Sequence, residues 1–200
     1  MKPRASKSVV SPTEEEVTPD IIDACRPGDR DAFRLLYEVY KDKVYSMTLY
    51  FFHGDTATSA DVTQQVFLKL MTNIAQFRGD SGFSTWLYRF VVNACVDRTR
   101  AAGGRAREVD PAVLDGLSAP GSQEDDLAST ETARSVQAAV AALAPKVRIA
   151  ILLRYFEDLS YAEMADVLKC SIGTVASRLS RGHDILARTL EPLRAPKRTR

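Results

Sequence analysis

The chain has 200 residues, 45% hydrophobic and 26% charged, with 27 Lys and Arg against 26 Asp and Glu. That suffices for one ordinary domain or two small ones with a real core, and it excludes a disordered chain. No apolar run approaches the roughly 20 residues of a membrane span, and the polar N-terminus lacks the apolar stretch of an export signal, so no membrane insertion and a cytoplasmic location are expected.

In chain order, residues 1–18 are polar, with Pro3, Pro12 and the Glu14–Glu16 run, and read as a disordered arm. From Pro19 the apolar spacing turns helical. A short helix in DIIDACRPGD stops at Pro27-Gly28, and Asp29 or Asp31 caps a long helix through AFRLLYEVYKDKVYSMTLYFFHG that Gly54 ends. Residues 55–59 read as a turn. The next helix runs from about Ser59 to Phe77, with Val62, Val66, Leu70, Ile74 and Phe77 on one stripe. RGDSG breaks it, and Ser84 is the expected cap of a helix to about Ala101, with Trp86, Leu87, Phe90, Val91 and Ala94 facing a core.

Residues 102–129 are rich in Gly, Pro, Ala and acids and read as a linker, long for a loop inside one compact domain. Helicity resumes near Thr130 and reaches Leu143, and Pro145 opens a helix to Phe156. Ser160 caps YAEMADVLK, CSIG turns, and Thr174 starts a final helix ending near Pro192. There is no strand candidate longer than a few residues. The expected fold class is all-α: two small helical domains, 19–101 and 130–191, joined by a flexible acidic linker and followed by a basic tail, 192–200.

Charge is unevenly placed. Residues 101–144 carry three Arg against seven acids, whereas 145–200 carry eleven Lys and Arg against six acids. A basic C-terminal module suggests a nucleic-acid contact there. Its sequence LSYAEMADVLKCSIGTVASRLSRGHDILARTL has the features of a helix-turn-helix: a capped helix with Met164, Val167 and Leu168 to bury, a turn with Ser171 and Gly173, and a second helix buried at Val175 and Leu179. Thr174, Ser177, Arg178 and Arg181 then face solvent, suited to phosphates and base edges. The bland alternative is a helical hairpin with a polar outer face.

The segment FRGDSGFSTWLYRFVVNACVDRTR, residues 77–100, sets arginines, an Asn and aromatic rings side by side. Its loop holds Arg78, Asp80 and Ser81 between Phe77 and Phe83, and Arg89, Asn93 and Arg100 share one side of the helix that follows. Such a constellation can stack an unpaired base and neutralise phosphates. Equally, its aromatics can be plain core. Cys25, Cys95 and Cys170 have no C-x-x-C spacing and there are only two histidines, so reduced thiols, a buried Cys95 and no metal are expected.

Together with the preceding DVTQQVFLKL and the later helix-turn-helix, that segment resembles the extracytoplasmic-function (ECF) sigma factors of bacteria. The likeness runs from Asp20 to Leu190 in the order domain two, linker, domain four. It implies a non-enzymatic promoter-specificity subunit of bacterial core RNA polymerase, without a cofactor, that recognises and melts promoter DNA. By the resemblance, Phe77, Arg78, Asp80, Ser81, Phe83 and Asn93 receive a base flipped from the −10 element, while Arg89 and Arg100 track phosphates. The helix from Asp61 would dock on the β′ clamp helices through Asp61, Gln64, Gln65, Leu68 and Met71. Thr174, Ser177, Arg178 and Arg181 would read the −35 element, with domain four also meeting the β flap. The linker would thread the polymerase channel, and an anti-sigma factor would be a partner. Relatives often carry a base at Ala176, a carboxylate at Gln65 and, in some, an aromatic at Ser180, so promoter preference does not carry over. The rival classes are a stand-alone repressor, which leaves the Asp61 face without a role, and a DNA-processing enzyme, for which no nucleophile or metal-binding set is found.

Overall fold

A computed structural model describes residues 17–101 and 126–191. The expected arm up to residue 16, most of the expected linker (102–125) and the basic tail (192–200) lie outside the described residues. Within them the chain forms eight α-helices, one 3₁₀ turn and no strand.

The first half comprises α1 (Pro19–Cys25), α2 (Arg30–Phe51), α3 (Thr56–Asn73) and α4 (Phe83–Ala101), with a 3₁₀ turn at Ile74–Gln76. Each long helix buries one stripe at i, i+3 and i+4 spacing: Leu36, Tyr40, Val44 and Met47 of α2, Val62, Val66 and Leu70 of α3, and Leu87, Tyr88, Val91 and Cys95 of α4. Caps set the starts. Asp29 accepts from the Asp31 and Ala32 amides, so it is the first of the two candidate aspartates that opens α2. Asp55 accepts from the Thr58 amide at 2.9 Å and from its hydroxyl at 2.8 Å. With an N-cap worth about 1 kcal/mol there, α3 starts at Thr56, where a turn through Ser59 was expected. Ser84 is not a cap either: α4 begins at Phe83, and the Trp86 amide already donates to the Gly82 carbonyl.

The second half comprises α5 (Asp126–Ala141), α6 (Pro145–Phe156), α7 (Tyr161–Leu168) and α8 (Ile172–Thr189). Helix α5 thus begins before the expected Thr130. Ser160 and Glu163 form a reciprocal capping box at the start of α7. Lys169, in the left-handed conformation at φ 49°, closes that helix and turns the chain toward α8. Ser171 caps α8, accepting from the Thr174 amide at 3.1 Å, so the helix starts at Ile172 and Thr174 belongs to its first turn. Helices α6 and α8 meet at Gly182, where an added Cβ would lie 2.8 Å from two carbons of Ile151 and 3.1 Å from Val147.

The halves pack on one another, which the reading of two tethered domains did not anticipate. One contact joins the C-terminal end of α2 to α5 and α6. There Tyr50 meets Phe156 edge-on, with ring centroids 4.8 Å apart, and the Gln137 amide donates to the Tyr50 hydroxyl. At its centre lies Arg148, only 5% exposed. All five of its N–H donors are engaged: to the carbonyls of Val140, Ala141 and Leu143 at the end of α5, to the Phe51 carbonyl at the end of α2, and to Nε2 of His53. A second contact joins α4 to α7, through Thr85 with Glu163 and Arg89 with Asp166.

Gly182→Ala should destabilise the protein by about 1–3 kcal/mol, because β-branched Ile151 cannot yield without off-rotamer strain. Gly173→Ala, on the same helix, should not destabilise, since its added Cβ would make only an ordinary 3.9 Å contact with the Ser171 hydroxyl. Urea denaturation of both variants checks the pair.

Candidate nucleic-acid and partner interface

Helix α3 presents the first surface. Asp61, Gln64, Gln65, Leu68 and Met71 are all exposed, and they alternate with the buried Val62, Val66 and Leu70 as an amphipathic helix requires. Leu68 is 55% exposed and Met71 53%. Two large apolar side chains close together on an otherwise polar face are what a docking surface leaves open.

Helix α4 and the loop before it form the second. The Arg26 guanidinium donates to the Phe77 carbonyl at 2.8 Å and pins the start of the loop. Gly79, at φ 78°, makes the turn. Arg78 and Asp80 are exposed and Ser81 is half-buried. Phe77 and Phe83 do not offer rings to solvent. Both are buried, 5.5 Å apart centroid to centroid, and Phe83 packs on Tyr40. Trp86 and Phe90 were expected in the core and instead are half-buried at the surface margin, with centroids 4.7 Å apart. The aromatic roles are exchanged relative to the sequence reading: the loop's own phenylalanines anchor it, and the helix's rings border the polar face.

That face carries Arg89, Asn93 and Arg100 on one side of α4. Asn93 and Arg100 are exposed, and Asn93 lies on the helix between the columns of Trp86 and Arg89. An amide flanked by an aromatic plane and two guanidinium groups can bond a base edge while the ring stacks and the cations hold phosphates. Arg89 is the exception to this openness, since Asp166 of α7 is paired with it. Cys95 faces the opposite way, fully buried, and burial pushes its thiol well above the ordinary range, so it is an inert core residue. Cys25 is likewise buried and raised to about 11, by burial first and then by Asp29.

The third surface is α8. Ser177, Ser180 and Arg181 are exposed, with Arg178 and Thr174 half-buried beside them. The Thr174 hydroxyl shares a 2.9 Å hydrogen bond with Ser171, and the Ser177 hydroxyl donates to the Thr174 carbonyl at 2.9 Å. Thr174 therefore serves the cap, and Arg178 and Arg181 carry the positive charge of the face. Ile172, 54% exposed at the first helical position, was not singled out from the sequence. The three surfaces do not converge on one pocket; they are separate faces.

The structure also assigns roles that no local pattern displayed. His53, in the left-handed conformation at φ 59°, abuts Arg148 with its Nε2 2.9 Å away. Because a guanidinium only donates, His53 must accept and stay neutral. Burial and then the Arg148 charge lower its pKa to about 4. Burial alone lowers that of Arg148 to about 10, so it remains a cation at neutral pH.

The chain matches the family model for sigma-70 region 2 over residues 36–105 and that for sigma-70 region 4 over residues 133–183. A helical protein joining those two regions in that order is an RNA polymerase sigma factor, a transcription-initiation protein and not an enzyme. It is 33% identical to the RNA polymerase sigma-H factor of Pseudomonas aeruginosa over 187 residues, covering 90% of this chain and 96% of that one. It is also 33% identical to the ECF factor SigW of Bacillus subtilis, over 84% of this chain and 94% of that one. The same identity, 33%, relates it to the ECF sigma-E factor of Escherichia coli, over 90% and 97% respectively. Among solved structures, CnrH in complex with the cytosolic domain of CnrY shares the fold with a TM-score of 0.66 at 23% identity, covering 88% of this chain and 98% of that one. The sigma factor RpoE bound to the anti-sigma factor NepR from Bartonella quintana does so at 0.61 and 21%, covering 80% and 96%. The chain belongs to the extracytoplasmic-function RNA polymerase sigma factors.

The neutral His53 makes stability depend on pH. Its folded pKa of about 4 lies below the ordinary 6.5, so the contribution is fully present above about pH 6.5 and is lost as pH falls toward 4. Partial exposure of the ring reduces the effect to the order of 1 kcal/mol. His53→Gln, which keeps an acceptor but cannot titrate, should flatten the fall in denaturation midpoint between pH 6.5 and 5.

Proposed function

We propose that the three faces divide the work of promoter recognition. The exposed face of α3, through Asp61, Gln64, Gln65, Leu68 and Met71, docks on the β′ clamp helices of core RNA polymerase. The loop residues Arg78, Asp80 and Ser81, held in place by the buried Phe77 and Phe83, receive a base flipped from the −10 element. Asn93 bonds that base with Trp86 alongside, and Arg89 and Arg100 neutralise neighbouring phosphates. Helix α8 enters the major groove of the −35 element with Ser177, Arg178 and Arg181, and Thr174 holds its N-terminal end in shape. The half containing α8 also meets the polymerase β flap, and the protein acts in the cytoplasm. No described helix is long and apolar enough to cross a membrane.

The single observation that carries this reading is the pair Leu68 and Met71, exposed at 55% and 53% on a helix whose other large apolar side chains are buried. A stand-alone DNA-binding repressor has no use for that face; a subunit that must seat on a larger machine does. We further assign an anti-sigma factor as a regulatory partner, on the support of two proteins of the same fold solved in complexes, CnrH with the cytosolic domain of CnrY and the sigma factor RpoE with the anti-sigma factor NepR.

Wild-type protein should co-purify saturably with bacterial core RNA polymerase, and the Gln64→Ala, Leu68→Ala double variant should lose that association while keeping its helical circular dichroism. If the folded wild type shifts duplex DNA but ignores core polymerase, the docking assignment fails. Arg181→Ala should weaken binding to duplex −35 DNA by about 1–3 kcal/mol and relax discrimination at one base pair. A uniform loss across sequences would instead make Arg181 a phosphate contact.

A further inference from the structure

Helix α8 leaves one large apolar side chain in water. Ile172 is its first residue and is 54% exposed, whereas Val175 and Leu179 of the same helix are buried. Residues four apart share a row along a helix, so the solvent side of α8 carries two parallel rows. Ile172, Ala176 and Ser180 make one, and Gly173, Ser177 and Arg181 make the other. Ile172 therefore stands beside the side chains assigned above to the −35 element. It also lies at the N-terminal end of α8, the end from which a recognition helix reaches base edges.

The polar groups of that first turn are engaged within the protein. The Ser171 and Thr174 hydroxyls share a hydrogen bond of 2.9 Å, and Ser171 also accepts from the Thr174 amide. The Ser177 hydroxyl gives its proton to the Thr174 carbonyl at 2.9 Å. Gly173 adds no side chain, and Ala176 adds only a methyl group. What this end of α8 offers to a groove is thus chiefly hydrocarbon. Among the edges that base pairs present in the major groove, the thymine C5-methyl is the apolar group; the rest are hydrogen-bond donors and acceptors. An isoleucine set against one of those would strip its water and return no bond, which is costly.

We propose that Ile172, with the Ala176 methyl behind it, is a specificity-determining residue that packs on the C5-methyl of a thymine in the −35 element. The inference rests on the assignment of α8 to that element. It gives the first turn of the helix an apolar share in base selection, beside the polar and charged share of Ser177, Arg178 and Arg181. Burying one methyl group against hydrocarbon is worth about four-fold in affinity, enough to bias the choice of a base pair without fixing it alone.

Removing that methyl from the DNA tests the pairing directly. The full-length chain in complex with core polymerase selects from a pool of randomised duplexes, and the upstream element of the selected duplexes should hold a T·A pair at one fixed position. Replacing that thymine with deoxyuridine deletes the methyl and keeps every hydrogen-bonding group. Wild type should then bind about four-fold more weakly. Ile172→Ala should bind the two duplexes equally, and Ile172→Val, which keeps a branched apolar side chain, should retain the discrimination. The proposal is overturned if no thymine of the element responds to deoxyuridine, or if Ile172→Ala stays as sensitive as wild type. It is also overturned if Ile172→Ala loses core polymerase and keeps the discrimination, which would make Ile172 a protein contact. Failure of the underlying assignment looks different: selection would return no preferred upstream element at all, and the −35 role of α8 would fall together with that of Ile172.

Discussion

Arg148 is the interaction on which the arrangement of the two halves depends. A guanidinium taken out of water loses hydration worth several kcal/mol, and only acceptors in good geometry can return it. Here they are supplied by two helix ends. The last carbonyls of α5 and the Phe51 carbonyl of α2 have no partners within their own helices, and both ends carry the negative pole of a helix dipole. One side chain therefore satisfies two termini that would otherwise be stranded, and the Phe51 ring, 5.6 Å from the guanidinium carbon, adds a cation–π contact. His53 completes the set as a neutral acceptor. Removing Arg148 would take a buried donor from carbonyls at both helix ends, so its replacement is costly even though it lies on none of the three exposed faces.

The same constraint explains why the α4 face sits where it does. Helix α4 must bury Leu87, Tyr88, Val91 and Cys95 against α2 and α3, which leaves the opposite side to Arg89, Asn93 and Arg100. The loop entering α4 is then pinned by the Phe77–Phe83–Trp86 ring cluster and by Arg26, so Arg78 and Asp80 project from a fixed base. Such a site is precise because its supports are packed side chains and not the loop itself. Cys95 falls on the packed side, which is why a thiol so near Asn93 in sequence shares none of its environment.

Much of this was legible in the chain because its signals are local. Helix periodicity, the Asp29 and Ser160 caps and the turn before α8 each span a few residues, and the α3 face appeared in full, with all five of its expected residues exposed. Caps moved two of the helix starts: Asp55 holds both the amide and the hydroxyl of Thr58, and Ser171 holds the amide of Thr174, so α3 and α8 begin earlier than periodicity alone suggested. The aromatic exchange was not legible. Phe77, Phe83, Trp86 and Phe90 are equally apolar, and only the packing of Tyr40 from another helix decides which rings go inward. Arg148 was hidden for the same reason. In PKVRIAILLRYF it reads as the polar side of a helix, and its partner carbonyl at Phe51 is 97 residues away.

Two contacts of different character therefore join the halves. The one around Arg148 is buried and uses every donor of the cation, so opening it exposes unsatisfied groups on both sides. The one between α4 and α7 joins a partly exposed ion pair, Arg89 with Asp166, to the buried hydroxyl of Thr85 with Glu163. Opening the α4–α7 contact frees an ion pair that water can solvate, whereas opening the other strands a buried cation and the carbonyls it serves.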